Sequence, residues 1–272
     1  MGEPALHPAT AAPTTPTGAA LALRRALELV AQLVPGGHAD VDDSGIGTIS
    51  IPVPMPTMSG LLLPAGPVDA ARLRELADGF VARRSPWSVR VSGPVRDEVT
   101  ELAADLGLSR QVVPTLVRPL TPAPVPGPSG LVEQHVRVTD EEERSRWVDT
   151  AAAAFGMPPS AVEPLATPEL VGAPAVRAYY ASLDQHPVAT ALTVLDPTGW
   201  LGVFCVGTVP GARWLGLASR LTASALADGA AAGAHSACLQ TTAMAASMYA
   251  RLGFRDSGED TVYFSTTAAA GT

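Results

Sequence analysis

Apolar residues recur along the chain in alternating helical and extended rhythms. Leu21, Leu23, Leu27, Val30, Ala31 and Val34 fall at helical spacing, and Pro35-Gly36-Gly37 stops the run. Residues 46–53 alternate as a strand does. Pro67 and Asp69 then open a second helix that reaches Ala82, with Leu73, Leu76, Phe80 and Val81 on one face. A short strand over 87–91, a helix over 95–106 ended by Gly107 and a strand over 111–120 follow. After the opening helix the order is strand, helix, strand, helix, strand, which predicts an α/β or α+β unit over 18–120. Asp40, Asp42 and Asp43 lack the distal glutamate of a calcium loop and read as a turn.

A second unit is expected over 130–266. Residues 131–138 alternate as a strand, and Thr139 with Glu142 three residues on has the form of a capping box. The helix it opens carries Trp147, Val148, Ala151 and Phe155 until Pro158-Pro159 ends it. Acidic residues at 140–143 suit that helix's positive end. A proline-punctuated helical stretch (160–171) precedes three strands at 177–183, 188–195 and 200–209. Turns at 184–187 and at Asp196-Pro197-Thr198-Gly199 separate them. A helix over 214–229, a strand over 236–241, a helix over 243–252 and a strand over 262–265 complete the pattern. Both units thus end in helix, strand, helix, strand, with a Leu-Gly pair at the last helix's exit (Leu106-Gly107 and Leu252-Gly253).

Composition places the boundaries. Residues 1–17 hold Pro, Thr and Ala with no apolar period and are expected to form a disordered tail, as is the short end 267–272. Four prolines within 121–129 mark a stiff linker between the units. The chain has 272 residues and a net charge of -8, and all its basic residues are arginines. That acidic balance argues against a nucleic-acid partner, whose phosphates need clustered cations. The most apolar stretch, 188–209, is broken by Asp196, Pro197 and Gly199, so no membrane partner is expected. The N-terminus lacks the basic start and apolar heart of a signal peptide, which gives a cytoplasmic expectation. Two cysteines, Cys205 and Cys238, are too few for a disulfide framework and read as small core residues. The histidines are dispersed without metal-ligand spacing, so no metal site is expected.

The candidate chemistry lies in 208–219, TVPGARWLGLAS. A strand ends, Pro210-Gly211 turns the chain, and Gly216 lies where a helix begins. The first amides of a helix have no intrahelical partner, and the helix dipole adds about half a positive charge there. Together they hold a phosphate or diphosphate; Gly216 and Ala218 admit close approach, and Arg213 adds a cation. Downstream, Tyr249 sits on a helix that Arg251-Leu252-Gly253-Phe254 returns to the sheet.

Taken together, Pro-x-x-Arg-x-x-Gly-x-Ala and Tyr-x-x-Leu-Gly-Phe resemble the two signatures of the GNAT superfamily of N-acetyltransferases. The likeness covers 130–266, and 18–120 looks like a degenerate copy, so the chain is similar to the tandem, two-lobe members. The resemblance implies a mixed, mostly antiparallel central sheet flanked by helices. It implies acetyl-CoA as co-substrate and an amine of a small molecule or peptide as acceptor, with monomer and homodimer both left open. Pantetheine would pair with the strand at Val206, Gly207 and Thr208. The diphosphate would rest on the loop and first helical turn formed by Arg213, Trp214, Leu215, Gly216, Leu217, Ala218 and Ser219. Tyr249 would protonate the departing thiolate as general acid.

Three departures from the family pattern stand out. Trp214 and Leu215 replace the small or basic loop residues, and Thr242 stands where many members carry a cofactor-contacting Asn. No carboxylate lies on the strand around Phe204, Cys205 and Val206; Glu163, Glu169, Asp184 and His186 remain as candidate bases, none singled out by the sequence. The missing base keeps two other classes open. One is a catalytically inactive acyl-CoA-binding or scaffold protein; the other is a relative using another acyl group or other CoA-thioester chemistry.

Overall fold

The computed structural model describes residues 18–64, 66–121 and 133–265. The expected tails and nearly all of the expected linker lie outside these residues. The first half runs α1 (Gly18–Leu33), β1 (His38–Val41), β2 (Gly47–Ser50), β3 (Ser59–Leu63), α2 (Ala70–Ala82), β4 (Ser88–Ser92), α3 (Asp97–Asp105) and β5 (Ser109–Pro119). The second half runs β6 (Glu133–Arg137), α4 (Glu141–Phe155), α5 (Pro159–Val162), α6 (Pro168–Gly172), β7 (Val176–Leu183), β8 (His186–Leu195), β9 (Trp200–Thr208), α7 (Leu217–Ala231), β10 (Ser236–Gln240), α8 (Ala243–Arg251) and β11 (Arg255–Phe264).

All strands join one mixed, mostly antiparallel sheet in the order β1-β2-β3-β4-β11-β5-β10-β9-β8-β7-β6, flanked by helices. Only β3–β4 and β9–β10 are parallel pairs. At the centre the halves exchange their last strands. β11 lies between β4 and β5, and β5 lies between β11 and β10. Neither half therefore completes its sheet alone. α1 strengthens the union: Ala19, Ala22 and Leu23 pack with Cys238 of β10, and Leu27, Val30, Ile49 and Ile51 share a core with Trp147, Leu165 and Leu192.

Several expected elements shift. α1 starts three residues earlier than expected, and Leu21 faces outward at 39% exposure, because the buried stripe is Ala19, Ala22, Leu23, Ala26, Leu27 and Val30. The α4 cap is Asp140, not Thr139. Asp140 Oδ1 accepts from Glu143 N at 2.9 Å, and Glu143 reaches back to Thr139 N at 2.7 Å, the same reciprocal logic one residue later. Strands β1 and β3 were not expected. Asp40 lies in β1, while Asp42 closes the turn to β2 by accepting from the amides of Ser44 and Ile46 and from Arg72 Nε at 2.8 Å. Bonds from Ser44 and Arg72 hold its carboxyl down at about 2. β11 begins at Arg255 rather than 262, with a register shift between Asp256 and Glu259.

One irregularity positions the site. In β9, Thr190 pairs with Gly207 but Leu192 pairs with Phe204, so Ala191 opposes both Cys205 and Val206. This is a β-bulge, and Cys205 takes φ 51 to make it. Buried Thr190 clamps the bulge by donating Oγ1 to Cys205 O at 3.0 Å. On the other side, fully buried Trp147 donates Nε1 to Ala191 O at 3.2 Å, tying α4 to the kinked ladder.

Candidate functional site

β9 and β10 begin as a parallel pair, with Ser236, Ala237 and Cys238 opposite Trp200, Leu201 and Gly202. Beyond Gly202 the pairing stops although both strands continue, and a crevice opens between β9 and α8. Its cavity holds about 430 Å3. Val206, Gly207 and Thr208 form one wall; the 212–219 loop and α7 form the head; Thr242 and Tyr249 lie on the α8 side. The structure thus brings together every sequence-derived site residue except Leu215, which is outside the cavity wall and 44% exposed.

The head of the cavity follows from local backbone preferences. The helix expected from 214 starts only at Leu217, because Trp214 (φ 68) and Gly216 (φ 76) are both left-handed and break it. Gly216 is the N-cap, and no side chain caps the helix. A Cβ at 216 would lie 2.9 Å from Arg220 Nη1, so glycine serves both the backbone angle and the space. The first turn of this 15-residue helix therefore has no side-chain cap among the described residues, and Gly216, Leu217, Ala218 and Ser219 line the cavity.

The corresponding helix of the first half is built oppositely. Asp69 caps α2, accepting from Ala71 N at 2.8 Å and Arg72 N at 3.1 Å, so its own carboxylate fills the place a diphosphate would take. There β3 also stays paired with β4 to its last residue, Leu63. Replacing Asp69 with Ala should cost about 1 kcal/mol, a fall in Tm of a few degrees, and leave ligand binding at α7 unaltered. Thermal melts with and without ligand measure both.

Arg213 occupies the cavity wall but works as a brace. Its Nε donates to Thr208 O at 3.2 Å and its Nη2 to Ala154 O at 3.3 Å, joining the end of β9 to the end of α4. Gly207 allows that contact, since a Cβ there would meet Ala154 Cβ at 2.9 Å. Thr242 begins α8 without capping it.

Tyr249 is 5% exposed and packs edge-on to Phe254, with ring centroids 5.6 Å apart. Burial pushes its phenol up to about 12. Cys205, half-buried against the Trp147 core, and buried Cys238 are pushed up to about 12 by the same cause, which keeps both thiols protonated and inert.

None of the four candidate bases lines the cavity. Glu163 and Glu169 lie within electrostatic reach of Arg144. Asp184 and His186 are exposed at the β7–β8 turn, where Asp184 O bonds His186 Nδ1 at 2.8 Å. Sequence reasoning missed Phe155, Met244 and Met248 in the wall. Met244 and Met248 stand four residues apart on α8, a helical spacing that carried the signal. Phe155 enters the wall only because α4 ends against β9.

No protein-family model matches the chain, and no curated protein sequence matches it. Solved structures do. A GCN5-related N-acetyltransferase from Kribbella flavida aligns over 93% of this chain and 97% of its own, at 20% identity and a TM-score of 0.67. One from Sphaerobacter thermophilus aligns over 83% and 78% at 18% identity and a TM-score of 0.58. A tandem GNAT protein from the clavulanic acid biosynthesis pathway aligns over 93% and 94% at 17% identity and a TM-score of 0.57. At such identities the likeness is one of fold, and it runs along nearly the whole chain: this protein has the fold of the GNAT N-acetyltransferases, in its tandem form.

Proposed function

We propose that the protein is an acetyl-CoA-dependent N-acetyltransferase whose acceptor is an amine, with its working site in the second unit, 130–266, and a structural first unit, 18–120. The observation that carries this reading is the uncapped α7 helix end at the head of the β9–β10 crevice, beside a cavity for the rest of the ligand. Its first-turn amides and dipole would receive the diphosphate. The backbone of Val206, Gly207 and Thr208, free of β10, would pair with pantetheine. The bulge at Cys205 and Val206 leaves an amide outside the ladder that would donate to the carbonyl oxygen as it gains charge. Tyr249 would hand its proton to the departing sulfur, and Arg213 would keep β9 and α4 in register around the thioester.

Calorimetry with acetyl-CoA tests binding, and mass spectrometry of an amine panel tests transfer. Binding at low-micromolar Kd with an acetylated product supports the reading, and absence of binding overturns it. The cavity wall holds no carboxylate or imidazole among the described residues, which favours one rival: an acyl-CoA-binding protein without turnover. That rival predicts binding with no product from any amine.

A further inference from the structure

Trp214, at the head of the cavity, is a side chain for which the fold itself has no use. It is 88% exposed, whereas Trp87 stacks on Phe80 in the first half and Trp147 fills the core of the second. Its backbone is left-handed at φ 68, an outlier for so bulky a residue. That strain is held from both sides. Arg213, immediately before it, is pinned to Thr208 O and Ala154 O, and Gly216, two residues on, caps α7. A strained indole fixed in solvent at the mouth of a cavity points to a ligand rather than to packing. It does not stand alone. Among the described residues, three of the seven exposed large hydrophobics, Phe155, Trp214 and Met244, line this one cavity. Phe155 is engaged with β9, its ring 3.0 Å from a Cβ built at Gly207, but Met244 in the first turn of α8 is 68% exposed. The charged side chains on the same wall are Arg213 and Arg251, both cations. An apolar rim beside cations and the positive end of a helix suits an aromatic ring tethered to phosphates.

Resting on the acetyltransferase reading, we propose that Trp214 stacks on the adenine of acetyl-CoA and makes the protein select the nucleotide-bearing cofactor over its pantetheine arm alone. Trp214 lies two residues ahead of the Gly216 cap, at most about 7 Å along the chain. That is the reach of one ribose from a diphosphate seated on the helix end. Met244, unbranched and adaptable, is placed on the α8 side to cover the base. The indole stands where a small or basic loop residue is common in the family, so stacking here takes over affinity that a loop charge would otherwise supply.

The test is calorimetry on the full chain, comparing the wild type with Trp214→Ala and Trp214→Phe. Removing the ring should weaken acetyl-CoA by roughly 10- to 100-fold, and Phe should restore affinity to within about threefold of wild type. Because the side chain lies in solvent, Tm should hold in both variants. Acetyl-phosphopantetheine, which lacks the base, should bind the wild type and Trp214→Ala within about twofold of each other. Tryptophan emission of the wild type should be quenched by acetyl-CoA and by adenosine bisphosphate, and that quench should vanish in Trp214→Phe. Unchanged acetyl-CoA affinity in Trp214→Ala overturns the proposal while leaving the cofactor site standing. So does an equal loss for acetyl-phosphopantetheine, which would put the indole on the arm instead. Where acetyl-phosphopantetheine binds too weakly to titrate, the emission decides: no quench by adenosine bisphosphate overturns the stacking. A wild type that binds no acetyl-CoA overturns this proposal and the acetyltransferase reading together.

Discussion

Replacing Tyr249 with Phe is expected to lower kcat for acetyl transfer by about 10²- to 10³-fold while changing the Kd for acetyl-CoA by less than about threefold. The ring stays in place against Phe254, so packing and the cavity wall survive; only the hydroxyl is lost. A phenol at about 12 looks too weak an acid for an ordinary thiolate. The cavity changes that comparison. A thiolate leaving into the apolar cavity beside Tyr249 loses solvation as the phenol does, which raises its own proton affinity. Burial thus shifts donor and leaving group in the same direction, which keeps proton transfer in the transition state available. The raised value also has a sign in the pH profile. Because the acid form persists until pH approaches 12, wild-type activity should show no alkaline loss from this residue between pH 8 and 10. A descending limb centred near pH 9 would contradict the assignment, as would unchanged turnover in the Phe variant.

How far the sequence reveals this site depends on what kind of interaction makes each part. The 208–219 segment and Tyr249 were legible because a phosphate-binding helix end and its partner helix are local patterns of glycine, arginine and turn residues. The bulge was not. It depends on Thr190 and Trp147, residues 15 and 44 positions from the groups they hold, and nothing in a strand of apolar residues marks where the ladder slips. β3 escaped for a related reason. All five of its residues are buried, so Ser59–Leu63 lacks the alternation that betrays a half-exposed strand.

The strand exchange was also illegible. The first part of β11, with Asp256, Gly258, Glu259 and Asp260, reads as a polar turn. It becomes strand only because β5 and β4 supply partners and because Arg90, Ser92 and Gln240 satisfy the buried Asp260 carboxylate. Sequence periodicity predicted two units ending alike. It could not show that each unit lends its final strand to the other, since exchanged and unexchanged pairings place the same side chains on the same faces.

Converting Ser219 to Glu should separate helix stability from ligand binding, because the two respond with opposite sign. Ser219 is the third residue of α7, half-buried in the cavity wall. A carboxylate in a first turn that now contains no acidic residue favours the positive end of the helix by about 0.5 kcal/mol, so Tm should hold or rise slightly. The same charge would lie within about 5 Å of a bound diphosphate. At an effective dielectric of about 20, one such repulsion costs roughly 3 kcal/mol, which weakens acetyl-CoA by on the order of 100-fold. The variant would thereby acquire at α7 what Asp69 already provides at α2, an internal anion on the amides. Calorimetry and a thermal melt on the same sample check the pair of outcomes. Retained affinity with raised Tm would move the diphosphate away from α7, whereas lost affinity with lowered Tm would signify damage to the fold rather than competition for the helix end.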